Sequence, residues 1–138
     1  MDRGLIFDFG RVISAQKPAS LFSSYERDLG LEPDTINTIM FDSPLWQEAL
    51  QGQRDWHSYW RAIAPELGLH GAERIEAFAE RYYRDEQVNE EVIELIKTYR
   101  VSHRIAILSN HPPGLREWLD AWDITHLFDE VYCSGDEG

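Results

Sequence analysis

Gly4-Leu5-Ile6-Phe7-Asp8-Phe9-Gly10-Arg11-Val12-Ile13 decides how this chain is read: an apolar run stops at one carboxylate and then turns through a glycine. A short run of aliphatic and aromatic residues predicts a buried strand with Asp8 at its C-terminal end. Open α/β sheets bind ligands beyond the carboxyl ends of their strands, so a carboxylate there faces a crevice rather than the core. Asp8 is therefore a candidate nucleophile. The alternative is that it only ends the strand and caps the following turn.

A second stretch bears on that choice. Arg104-Ile105-Ala106-Ile107-Leu108-Ser109-Asn110 is another apolar strand ending in small polar residues, followed by His111-Pro112-Pro113-Gly114 and a helical pattern to about Trp122. Parallel pairing of the two strands would set Asp8 beside Ser109 and Asn110. From Ser20 to Tyr83 the chain reads as helices. One runs to Leu29 and is stopped by Gly30, and one runs from Pro33-Asp34 to about Phe41. A third restarts at Ser43-Pro44, and two more span Asp55 to Leu67 and Gly71 to Tyr83. Asn89 is the expected N-cap of a helix through Tyr99, and Glu130-Val131-Tyr132-Cys133 a third short strand. The order β, helical insert, α, β, α, β predicts an α/β fold with a parallel sheet.

Composition narrows the function. The 138 residues, 43% hydrophobic and 28% charged, suit an ordinary globular domain. A net charge of −12 argues against a nucleic-acid partner, and an anionic substrate would need local compensation, most simply a divalent cation. Cys133 is the only cysteine, and no segment approaches the roughly 20 apolar residues that span a bilayer, so a soluble cytoplasmic protein without a membrane partner is expected. The five histidines lack metal-ligand spacing; only His111, just past Asn110, is placed to touch a ligand. Trp56/Trp60 and Trp118/Trp122 are i, i+4 pairs and are expected in the core.

Asp8-Phe9-Gly10-Arg11-Val12 resembles the first motif of the haloacid dehalogenase (HAD) superfamily, and Leu108-Ser109-Asn110 its second. The resemblance implies a HAD-like, Rossmann-like α/β core of residues 1–14 and 86–138, with three parallel strands of an incomplete sheet and an α-helical cap of residues 15–85. The branch it is most similar to, with an Asp-x-Gly-x-Val first motif, includes phosphatases of sugar phosphates. It implies hydrolysis of a small phosphorylated metabolite through an aspartyl-phosphate on Asp8, with Mg²⁺ on Asp8 and the Gly10 carbonyl, and phosphate held by Ser109 and Asn110. Arg11 stands where the family carries a small residue; it either binds a substrate anion or points into solvent. Gly10 stands where most family phosphatases carry an acid, as it does in family dehalogenases, so a dehalogenase using the same nucleophile is the rival activity. The family's third-motif lysine and fourth-motif acidic pair are not found. Asp136-Glu137 is read as a polar terminus. The chain is thus expected to stop short of those motifs, to be a weak catalyst or a non-catalytic binding module, and to self-associate or pair with a missing C-terminal segment through the open edge at Leu5-Ile6-Phe7.

Overall fold

The computed structural model describes residues 3–137. The strands are β1 (Gly4–Phe7), β2 (Arg104–Ser109) and β3 (Glu130–Cys133), all parallel, in the order β1-β2-β3. Strand β1 is therefore an edge of the sheet among the described residues, as expected.

Five helices follow β1: α1 (Ala19–Leu29), α2 (Ile36–Phe41), α3 (Pro44–Leu50), α4 (Trp56–Ile63) and α5 (Ala72–Asp85). Their inward faces form one aromatic core around Tyr25, Tyr59, Trp60, Phe78 and Tyr82. The helices α6 (Glu90–Tyr99) and α7 (Leu115–Ala121) cover one face of the sheet, where Ile93, Ile96, Leu115 and Leu119 pack on Ile105 and Ile107. A last turn, α8 (Ser134–Glu137), follows β3 directly.

The chain enters and leaves the five-helix insert side by side. Ser14 pairs antiparallel with Val88, Ala15 N–H donates to Gln87 O at 2.7 Å, and Asn89 N–H donates to Ile13 O at 2.8 Å. Insert and sheet are thus joined by a two-stranded connection rather than by a single linker.

Several helix bounds depart from the sequence expectation. Helix α2 starts two residues after Asp34, which takes φ 63°, because the buried Glu26 carboxylate of α1 accepts the Thr35 and Ile36 N–H groups at 2.7 and 3.0 Å. A carboxylate from a neighbouring helix does the work of a local N-cap. Helix α4 ends at Ile63, with tight turns to Gly68, and α7 begins only after Gly114 at φ 102°.

Candidate active site

Phe7 lies opposite Ile107 in the parallel register, so Asp8 and Ser109 leave the sheet at the same end. Ser109 Oγ donates to Asp8 Oδ1 at 3.0 Å, and the same oxygen accepts the Phe9 N–H at 2.7 Å. Asp8 caps the turn with one oxygen, while no described residue bonds to Oδ2. Ser109 is buried, its hydroxyl committed to the carboxylate.

After Asp8 the backbone makes a turn whose central residues are Gly10 (φ −64°, ψ 125°) and Arg11 (φ 63°, ψ 8°). These are the angles of a type II turn, whose second central position favours glycine. The chain does turn through its glycine, as expected, but the left-handed position is taken by Arg11 rather than by Gly10. Ser14 holds it there, accepting the Arg11 N–H at 3.2 Å and donating its hydroxyl to Phe9 O at 3.2 Å and its N–H to the same oxygen at 2.9 Å. Strain of this kind concentrates at functional sites.

Asp8, Gly10, Arg11, Asn110 and His111 line one side of a cavity of about 490 Å³. The insert closes the other side with Phe22, Phe41, Trp46, Trp56 and Tyr82, and Trp118 of α7 adds to the wall. Trp56 and Trp118 pack against the two cores, as expected, and are half-buried because they also line this cavity. The i, i+4 spacing that marks a core face here also marks a cavity wall. Lys17, given no role from sequence, lines the cavity as well. It is ion-paired with Glu86 across the two-stranded connection and lies 3.9 Å from the Tyr82 ring centre.

The loop after Ser109 is braced from the end of β3. Ser134 Oγ lies 2.7 Å from Asn110 Oδ1 and 2.6 Å from Leu50 O at the end of α3, and it accepts the His111 N–H at 3.0 Å. Gly135 N–H donates to His111 O at 2.9 Å, and a Cβ on Gly135 would fall 2.4 Å from Pro113 N. Asp136 Oδ1 accepts the Gly114 N–H at 3.2 Å. Ser134 and Gly135 thus brace this loop, and of the pair read as a polar terminus Asp136 joins the brace while both side chains stay exposed. The glycine right after a strand was the one sequence signal for it, since such a glycine marks close backbone approach.

His111 is buried against the Phe9 ring (5.1 Å, edge-on) and the Trp56 ring (6.0 Å). Burial pushes its pKa below the ordinary histidine value, opposed by the Pro112 carbonyl and by the charges of Asp136 and Asp8. No group of three or more His, Cys, Asp or Glu side chains among the described residues is arranged to hold a metal.

The three-stranded parallel sheet with a helical insert directly after its first strand is similar in fold to solved HAD-like hydrolases. A predicted HAD-like family hydrolase from Porphyromonas gingivalis superposes with a TM-score of 0.63 at 18% identity over 99% of this chain and 68% of its own. A HAD family enzyme from Bacteroides thetaiotaomicron, solved in complex with magnesium and inorganic phosphate, gives 0.65 at 13% identity over 99% and 70%. L-2-haloacid dehalogenase from Xanthobacter autotrophicus, with chloropropionic acid covalently bound, gives 0.62 at 21% identity over 99% and 58%. No protein-family model and no curated protein matches the sequence.

Proposed function

We propose that the chain is a hydrolase of small phosphorylated metabolites of the sugar-phosphate kind, working through an aspartyl-phosphate on Asp8. The observation that carries this reading is the Ser109 hydroxyl 3.0 Å from Asp8 Oδ1 at the ends of two adjacent parallel strands, beside a cavity walled by a separate helical layer. Asp8 Oδ2, free of bonds from the described residues, is the attacking atom. Ser109 moves its hydrogen bond from the carboxylate to a phosphoryl oxygen, and Asn110 adds a donor. Arg11, exposed at the cavity, supplies positive charge that the acidic chain otherwise lacks. Residues 15–85 act as the cap, and 1–14 with 86–138 as the core.

Magnesium belongs to this reading, as in the Bacteroides enzyme. The Asp8 carboxylate and the Gly10 carbonyl offer two hard oxygens, a donor set that fits Mg²⁺ keeping most of its waters. When bound, the ion would supply positive charge that offsets the repulsion between an anionic nucleophile and an anionic substrate. No described helix is long and apolar enough to cross a membrane, and the single, buried, unpaired Cys133 suits a cytoplasmic setting.

The rival activity is dehalogenation, in which Asp8 attacks carbon and no metal is needed. It is favoured by Gly10, which offers no acid, and by the aromatic cavity wall. An assay of aryl and sugar phosphates with millimolar Mg²⁺ decides. Turnover abolished by a chelator and by Asp8→Asn is expected. Chelator-insensitive release of halide from 2-haloacids would assign the site to the rival, and turnover of neither substrate class would leave a binding module.

A further inference from the structure

We propose that His111 is the general acid and base of this site, filling the role for which Gly10 has no side chain. The inference rests on the phosphohydrolase reading and deepens it. Ester hydrolysis needs a proton for the leaving oxygen and a place for the proton that the attacking water gives up, a contribution of about 10²- to 10⁴-fold in rate. At Gly10 an added Cβ would meet nothing within 4 Å, so the cavity is open where such a group would start. His111 is the histidine on that cavity wall among the described residues.

Its tautomer is set by geometry. Nδ1 lies 2.8 Å from Pro112 O, and since a carbonyl only accepts, Nδ1 carries the proton. The lone pair is on Nε2, to which no described residue donates. The imidazole is fixed by the Phe9 and Trp56 rings, and its backbone by Ser134 and Gly135. Trp56, against the same ring, has a buried indole N–H with no partner. Nε2 is thus the atom free to exchange a proton with the leaving alcohol or the attacking water.

The charges around the ring fit a base at rest. The charges of Asp8 and Asp136 act on it to raise its proton affinity, and Arg11 and the Lys17–Glu86 pair share the cavity. Burial keeps the resting imidazole neutral, and an arriving phosphoryl dianion raises its proton affinity. As the phosphoryl group binds, Nε2 takes a proton from solvent; in the first half-reaction Asp8 Oδ2 bonds to phosphorus, the P–O bond to the leaving group breaks, and the leaving oxygen takes that proton from the His111 imidazolium. In the second, water loses a proton to Nε2 as its oxygen bonds to phosphorus. The P–O bond to Asp8 then breaks with its electron pair returning to the carboxylate, and phosphate leaves.

The test begins with the ¹⁵N imidazole resonances of the labelled wild-type chain, titrated with inorganic phosphate in the presence of Mg²⁺. Unprotonated Nε2 is expected at neutral pH, with a resonance that shifts on phosphate addition and an ionisation that moves up by about one pH unit. Phosphate that perturbs the Ser109 and Asn110 amides but leaves Nε2 unmoved overturns the role of His111 and spares the phosphohydrolase reading. Phosphate that perturbs none of them overturns both. The second arm is His111→Asn, which keeps a donor for Pro112 O and removes Nε2. Its turnover of alkyl phosphates is expected to fall about 10²-fold or more, and that of an aryl phosphate with an acidic leaving group much less. Equal losses on the two substrates would contradict the proposal, because misfolding or misplacement does not discriminate between leaving groups.

Discussion

The two hydrophobic cores of this chain differ in how completely they are enclosed. In the helical insert Tyr25, Tyr59, Trp60, Ile63 and Leu67 are shut away from solvent on all sides. In the sheet, Ile105 and Ile107 are equally buried on the face under α6 and α7, but the opposite face leaves Ile6 69%, Leu108 60% and Tyr132 45% exposed. Parallel sheets are ordinarily covered on both faces. The insert is thus a finished packing unit, whereas the sheet is rigid on one side and presents an apolar surface on the other. The candidate site takes its floor from the ends of the sheet's strands and its aromatic walls largely from the insert.

The largest expected effect tests that contrast directly. Trp60→Ala should destabilise by about 3–5 kcal/mol, as a large cavity in a closed aromatic core does, while Leu108→Ser should stay within about 0.5 kcal/mol. Urea unfolding measures both, and similar costs at the two sites would erase the distinction. The Leu108→Ser chain should also self-associate less than the wild type in light scattering, since it removes an exposed apolar side chain from the bare face. Next in size is Gly135→Ala, expected to cost about 3 kcal/mol because the new methyl meets backbone atoms of the 111–113 loop rather than yielding side chains. A variant as stable as wild type would mean that this brace is loose.

A smaller effect appears in pH dependence. His111 has a depressed pKa in the folded chain, so below the unfolded value of about 6.5 the unfolded state binds more protons, and stability falls as pH is lowered through that value. The wild type should therefore lose more stability than His111→Asn between about pH 7.5 and about pH 5 in paired urea titrations. Parallel losses would place the acid sensitivity elsewhere. The smallest change is Arg11→Gly, expected to raise stability by about 0.5 kcal/mol, since relief of the left-handed backbone outweighs the added flexibility of glycine. Its thermal melt should rise while affinity for an anionic substrate falls.

What could be read from sequence follows the range of the forces involved. The strands β1, β2 and β3 and the placement of Asp8 beside Ser109 depended on local apolar runs and on parallel pairing, and both were legible. The N-cap of α6 at Asn89 was legible for the same reason. Where α2 begins was not, because its cap is the Glu26 carboxylate of another helix. Arg11 in a glycine conformation was hidden because Ser14, three residues on, closes the turn. The cavity faces of Trp56 and Trp118, the pairing of Lys17 with Glu86, and the brace from Ser134 and Gly135 all depend on segments brought together only by the folded chain. Spacing within one helix cannot tell a core from a cavity wall.

The central claim, that Asp8 is a nucleophile toward phosphorus, is tested most directly by trapping its product. The chain is mixed with an aryl phosphate and Mg²⁺, quenched in acid, digested and read by mass spectrometry, alongside Asp8→Asn. One phosphoryl group on the peptide carrying Asp8, absent from the variant, is the predicted result. Turnover of the phosphate ester with no phosphoryl group on that peptide, or equal labelling of the Asn variant, would contradict it.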